Sequence, residues 1–500
     1  MYVLDAVKMR QADEFTIEKV GIAQEVLMER AALAVTDCVV KYNPHRVLCV
    51  CGNGNNGADA LAVARILKMR GVLADVFLCS TSSEQKLSLK KQYDIFAKVG
   101  GKTVTDTDFT EYDIIVDGIL GIGIDRKTEG HYAEVIEAIN HAGKTKAKII
   151  SVDIPSGIHT DKGTVLGCAV KADETVTFAY HKPGHLLYPG AEYCGNITVA
   201  DIGISHSFTG VVPNVFTCNV EHEFYLPKRE CDGNKGTFGR VLIIAGSKEM
   251  YGACYLAALA ALRSGVGLVD VYTHAVNGPA LQTMLPEAIV HLYDENFNQD
   301  ELIALMKKAS CVVIGPGISI NKTAARIVEV VLQTCEKNIV ADADALNCIA
   351  QNKELLYNQK KFPHRALIMT PHPGEFSRLT GKTVSELKED YVTNVRDFAT
   401  EFSVIVVGKG AGSVVSDGTT VYINRTGNDG MATAGSGDVL AGIIGGLCAQ
   451  GEKPFDASWK GVCLHGMAGD YAIHNGNAYS LMASDIAHAL QHVMKTSFKE

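Results

Sequence analysis

No stretch of the sequence reaches the ~18 uninterrupted apolar residues of a membrane span. Nor does it contain a Lys/Arg tract, and 47 basic against 56 acidic side chains leave a net charge of −9. Broad electrostatic binding of DNA or RNA is therefore excluded, and neither nucleic acid nor membrane is expected as a partner. An anionic ligand must be met locally, by backbone amides and helix N-termini. The 14 cysteines are scattered, several inside apolar runs such as VLCVC, and show no framework spacing, so they read as reduced thiols. The first residues, MYVLDAVKMRQADEF, carry charges where a signal peptide needs an apolar core, and the expected location is cytoplasmic. Low-complexity tracts and solenoid-length repeats are also missing.

What remains is ordinary globular composition, 47% hydrophobic and 21% charged. Five hundred residues exceed the roughly 100 to 200 of a typical domain, so two domains are expected. From residue 46 short β-branched runs (RVLCVCG, DVFLCS, DIIVDGI, KIISVDIP) alternate with helical segments, which predicts parallel βαβ units. The apolar-periodic stretch VGIAQEVLMERAALAVTDCVV precedes them as helix. Between about 203 and 222 the pattern weakens; a second series then runs from GRVLIIAGS to FSVIVVGKGAGSVV. The fold class is α/β, in two three-layer domains at 1–215 and 223–500.

In the first half, CGNGNNGADALAVARIL puts a Gly/Asn-rich turn between strand and helix, a phosphate-binding arrangement that is neither GxGxxG nor a Walker loop. Two further strands end in Asp117 and in Asp153, the latter followed by Ser156. Ligands collect at the carboxyl ends of strands in such sheets, so Asn55, Asn56, Asp59, Asp117, Asp153 and Ser156 can converge on one crevice. This oxygen-rich set suits a hard cation or a hydroxyl-rich ligand; each Asp alone could equally cap a helix. GILGIGIDRKTEGHY adds a second Gly-rich turn with Arg126 and Lys127.

In the second half, TAGSGDVLAGIIGGL leads small residues into an apolar helix. Its first-turn amides make an anion hole, and Asp438 at the entrance can take a proton from a hydroxyl attacking a phosphoryl group. KGAGSVV, 409–415, offers a cation, unencumbered amides and a hydroxyl to a phosphate tail. His372 and Glu375 sit in the Pro-pinned TPHPGEF, and NIVADADALN brings Asp342 and Asp344 to a strand end, to meet Mg²⁺ through water or to cap a helix.

Taken in order, GRVLIIAGS, GPGI, DADALN, TPHPGE, KGAGS and AGSGDVLAG resemble the ribokinase-like NAD(P)H-hydrate dehydratases, and LMERAA, NGNNGAD, VDGILGIG and VDIPSG resemble the NAD(P)H-hydrate epimerases. The resemblance covers nearly the whole chain, in the order of the bifunctional nicotinamide-nucleotide repair family. It implies a Rossmann-like epimerase domain and a ribokinase-like dehydratase domain, acting on the C6-hydrated coenzymes NADHX and NADPHX. The first domain would interconvert the R and S epimers. The second would dehydrate the S form using ADP with Mg²⁺, releasing AMP and phosphate.

By that resemblance Asp438 is the base, and Gly437 with Lys409, Gly410, Ala411, Gly412 and Ser413 contact the nucleotide. Ala253, Gly317 and His372, with Asp438, line the hydrate pocket. In the first domain it places K⁺ on Asn56, Asp117 and Ser156. The hydrate would lie against Asn55, Asn56, Gly57, Ala58 and Asp59, against Gly121, Ile122, Gly123, Ile124, Asp125, Arg126 and Lys127, and against Asp153, the best-placed carboxylate for proton transfer. The family also implies a homo-oligomer. The chain departs from the usual NNGGDG by reading NNGADA, which predicts a less close backbone approach at Ala58 and Ala60. Competing readings are a small-molecule kinase of the ribokinase-like group, with phosphorylation as the end point, and a non-catalytic nucleotide-binding N-terminal half.

Overall fold

The computed structural model describes residues 1–79, 86–205, 214–218, 220–226, 229–294, 297–474 and 476–496. The chain separates into two compact units, Tyr2–Val215 and Met1 with Phe216–Glu500. The segment in which the sequence pattern weakens lies partly outside the described residues.

In the first unit the strands are β1 (Arg46–Cys51), β2 (Leu73–Leu78), β3 (Lys102–Val104), β4 (Ile114–Gly118), β5 (Lys148–Val152), β6 (Glu174–Phe178) and β7 (Asn196–Ala200). They form one sheet in the order β3-β2-β1-β4-β5-β6-β7, with the paired strands all parallel. RVLCVC is buried along almost its whole length because both faces of a central parallel strand are covered, which is why it reads as a continuous apolar run. The helices are α1 (Ala6–Phe15), α2 (Gln24–Val40), α3 (Asn55–Met69), α4 (Leu87–Lys98) and α5 (His131–Thr145). The strand order reverses between β1 and β4, so the loops leaving these two strands diverge and open a crevice. There Gly52 is required, because a Cβ would fall on the carbonyl oxygen of Ile119.

The second unit is built on a ten-stranded sheet. Its strands are β8 (Val215–Phe216), β9 (Arg240–Ile244), β10 (Leu268–His274), β11 (Ile289–Tyr293), β12 (Cys311–Ile314), β13 (Asn338–Ala341), β14 (Leu367–Met369), β15 (Ile405–Gly408), β16 (Val414–Ser416) and β17 (Val421–Ile423). The order is β11-β10-β9-β12-β13-β14-β15-β16-β17-β8, reversing between β9 and β12; β15, β16 and β17 pair antiparallel. The glycines of AGSGDVLAGIIGGL do more than lead into a helix. In the helix Ser436–Ala449, a Cβ on Gly442 would collide with the Ala257 carbonyl of the helix Tyr251–Arg263, and one on Gly445 would meet Val313 of β12.

Gly442→Ala is therefore expected to destabilise the protein by about 2 kcal/mol, since backbone cannot yield to the added methyl. At an uncrowded helical position the same change would stabilise by about 1 kcal/mol. The sign of the shift in denaturant midpoint decides between the two.

Candidate active sites

The first unit holds a cavity of about 1070 Å³ at the switch point. Asn55, Asn56 and Asp59 line it from the start of α3, Gly121 to Lys127 from the loop after β4, and Asp153 from the end of β5. Gly57 and Ala58 do not. Gly57 turns to the strand side, where a Cβ would meet Gly52, and Ala58 is fully buried in the core. The expectation of looser backbone approach at Ala58 and Ala60 is likewise corrected. The Ala60 methyl packs against Gly118 of the sheet while Ala58 is buried in the apolar core, so neither methyl borders the cavity.

Asp117, Asn56 and Ser156 do come together. The fully buried Asp117 accepts from Ser156 Oγ (2.6 Å), Ser156 N (2.9 Å), Ser151 Oγ (2.8 Å) and Ile119 N (3.3 Å). Ser156 Oγ also accepts from Leu120 N (2.9 Å), while Asn56 Nδ2 donates to Leu120 O (2.9 Å). Every donor to Asp117 is neutral, and burial raises its pKa above the usual carboxylate range. A buried carboxylate with only neutral partners and surrounding oxygen atoms fits a monovalent hard cation. Among the described residues no cluster of three His, Cys, Asp or Glu is suited to another metal.

Asp153 is held in a left-handed backbone conformation (φ +64°), costly for a residue with a side chain and fixed here from several directions. Its amide donates to Val176 O (2.8 Å), and its carbonyl meets His185 Nε2 (2.8 Å). Since His185 Nδ1 accepts from Lys182 N (3.1 Å), Nε2 carries the proton and donates. Burial and the neighbouring Lys182 push the His185 pKa down to about 3, keeping the ring neutral. The Asp153 Oδ1 atom takes an ion pair from Lys182 Nζ and hydrogen bonds from Thr177 Oγ1 (3.0 Å) and Phe178 N (3.3 Å). Lys182, wholly buried and bordering the cavity, was missed in the sequence. A lone Lys between strand and Pro-Gly in FAYHKPG was its available signal.

In the second unit the predicted residues gather at the ends of β9, β12, β13, β14 and β15. Asp438 lies in the first turn of Ser436–Ala449, after Gly435 at φ +87°. Burial and then the charge of Asp342 raise its pKa to about 7, with Lys409 opposing. Lys409 is not a free cation awaiting phosphate, because its Nζ donates to Asp342 Oδ1 (2.7 Å) and lies 4.0 Å from Glu375 Oε2. Gly437 lets Lys409 Nζ come within 3.1 Å of the place a Cβ would occupy. Ser413 also departs from its expected use. Its buried hydroxyl closes the KGAGS turn, donating to Gly410 O (2.9 Å) and accepting from Gly410 N (3.2 Å), while Lys409 N donates to Pro371 O (2.9 Å).

The two acidic residues of DADALN part company. Asp344 Oδ2 accepts from Ser319 N (2.8 Å) and pins the loop after β12, while Asp342 pairs with Lys409 and accepts from Thr370 Oγ1 (2.7 Å). The other oxygen of Asp342, Oδ2, is buried without a hydrogen-bond partner. His372 caps the helix Pro373–Thr380 through Gly374 N (3.0 Å), and its Nε2 lies 3.3 Å from Glu375 Oε1. Burial raises the Glu375 pKa to about 7. Gly317 (φ +61°) and Ala253 touch, since a Cβ on the former would lie 2.8 Å from the Ala253 methyl. Behind the anion hole, Ser436 Oγ lies 3.3 Å from Nε2 of the buried His465.

An NAD(P)H-hydrate dehydratase family model matches residues 241–492, and a YjeF-related protein N-terminus model matches 24–184. The bifunctional NAD(P)H-hydrate repair enzyme Nnr of Moorella thermoacetica is 36% identical, covering 100% of this chain and 98% of that protein. Its namesake in Escherichia coli is 32% identical, covering 97% and 92%. The crystal structure of the ADP/ATP-dependent NAD(P)H-hydrate dehydratase from Bacillus subtilis, co-crystallised with ATP/Mg²⁺, is 32% identical, with a TM-score of 0.48, covering 54% of this chain and 94% of that one. No helix among the described residues is long and apolar enough to cross a membrane.

Proposed function

The chain belongs to the family of bifunctional NAD(P)H-hydrate repair enzymes, and from that premise we propose how its two sites divide the repair. The N-terminal cavity interconverts the R and S hydrates of NADH and NADPH. The C-terminal site dehydrates the S form with ADP. The observation that carries the reading is Asp438, a carboxylate with its pKa near 7 beside a glycine-flanked helix N-terminus.

Hydroxide is a poor leaving group, so the C6 hydroxyl is first phosphorylated. Asp438 takes the hydroxyl proton as the C6 oxygen attacks the β-phosphoryl group of ADP and AMP leaves, while the amides of Gly437, Ala411 and Gly412 hold the phosphates. The ring nitrogen then pushes electrons toward C6, phosphate leaves, and loss of the C5 proton restores the dihydropyridine. Ala253 and Gly317 leave room for a flat ring, and His372 borders it. Asp342, through its unpartnered Oδ2, and Glu375 would hold a hydrated Mg²⁺ brought with the nucleotide, which would neutralise phosphate charge. In the N-terminal site Asp153 moves the proton of the carbinolamine. Asn56, Asp117 and Ser156 would hold a K⁺ ion, which would supply positive charge beside the hydrate. Arg126 and Lys127 on the loop after β4 meet the coenzyme phosphates.

The test is to give the full chain S-hydrate, Mg²⁺ and either ADP or ATP. The expected result is regain of the NADH absorbance with one AMP and one phosphate per NADH formed from ADP. Accumulation of a phosphorylated product without that absorbance would assign the chain to the small-molecule kinases instead.

A further inference from the structure

The helix α1 turns one face to the N-terminal cavity: Met9, Arg10, Asp13 and Glu14 border it, spaced as neighbours on one side of a helix, and Ile17 just beyond α1 continues the row. Asp13 thereby shares the cavity with Asp59 from α3, Asp153 from the end of β5 and Lys182 from beyond β6. Just after it the helix widens into a π turn, Thr16–Val20, an irregularity that often accompanies functional positions. Three carboxylates facing one ammonium cannot all be charged without repulsion, so the cavity retains protons near neutrality.

We propose that Asp13 is a second acid–base residue of the N-terminal site, exchanging a proton with the C6 hydroxyl of the hydrate while Asp153 serves the opposite face of the ring. This inference rests on the epimerase reading given above. In one direction Asp13 donates its proton to the C6 hydroxyl, the C6–O bond breaks and water leaves. The N1 lone pair closes a C6=N1 double bond. Water then adds to the other face, the C6–O bond re-forms, the electron pair returns to N1, and the released proton goes to Asp153. One proton has left Asp13 and one has arrived on Asp153. The reverse reaction exchanges their roles, and between like turnovers solvent returns the proton.

The surroundings suit Asp13 to this task. Burial and then the charge of Asp153 raise its pKa to about 6, with Lys182 opposing and Glu14 adding to the rise. Arg10 on its own helix, Asp59 on α3, Lys86 just before α4, and Asp125, Arg126, Lys127 and Glu129 on the loop after β4 are the other charged groups bordering this space. Burial and then the charges of Asp153 and Asp13 drive the Asp59 pKa upward as well.

The test follows R-to-S conversion by the full chain without ADP, so that dehydration is silent. Asp13→Asn should lower kcat by about 100-fold with KM within about 3-fold, and should remove a pH dependence near 6. Asp13→Glu should restore most of the rate with that limb displaced. Near-wild-type kcat and an unchanged pH profile in Asp13→Asn would overturn the proposal and leave the epimerase reading intact. Failure of the wild-type chain to interconvert the hydrates would overturn both. If Asp13→Asn unfolds at lower temperature than wild type, Asp13→Glu decides: a displaced limb supports the proposal, and a superimposable profile sinks it.

Discussion

Asp438→Asn is expected to cut kcat for dehydration by about 10³-fold while leaving nucleotide binding nearly unchanged. Asparagine keeps the size of the side chain and cannot accept the hydroxyl proton. Wild-type kcat/KM should rise with pH and level off above about 7, because the base works only when ionised and burial with Asp342 holds its proton to that pH. Below that point each pH unit costs about tenfold in rate, and in Asp438→Asn the slope should vanish. The measurement is the pH profile of NADH regain from S-hydrate and ADP. Retention of full turnover in the variant would remove Asp438 from the chemistry.

The second large effect is expected in the other unit. Asp153→Asn should lower R-to-S interconversion by about 10³-fold, with dehydration of S-hydrate at its wild-type rate because the proposed dehydration site lies in the other unit. The substitution also leaves the buried Lys182 ammonium without its partner, at a cost of about 3–5 kcal/mol. Lost epimerisation in the single variant could thus report unfolding. The double variant Asp153→Asn/Lys182→Met removes both charges and should recover most of the stability, read by thermal unfolding, without recovering epimerisation. Recovery of epimerisation in the double variant would show that Asp153 serves the fold rather than the reaction.

Much of this site could be read before any fold was known. The βα turn NGNNGAD, the strand-end aspartates and the Gly-rich helix entry carry their chemistry in local sequence, because a strand followed by small residues and a helix leaves amides free whatever surrounds it. NNGADA shows where that legibility stops. Two alanines in a ligand loop suggested a less close backbone approach, yet Ala60 packs against Gly118 and Ala58 is buried in the apolar core, so neither borders the cavity, which only the packing shows. Ser413 and Lys409 show the same limit. Their residue types suit phosphate, but the turn claims the hydroxyl and a carboxylate 67 positions away claims the ammonium.

The sequence by itself determined the two-domain α/β architecture, the oxygen-rich character of the first crevice and Asp438 beside an anion hole, since these follow from periodicity, turn chemistry and residue type. Only the tertiary structure decided which ionisable groups face one another. Lys182 reaches Asp153 across 29 residues, and Asp13 lines the same cavity from a helix near the start of the chain. Proton affinity depends on charges and burial within a few ångströms, and those distances are fixed by the order of strands in the sheet rather than by the order of residues in the chain.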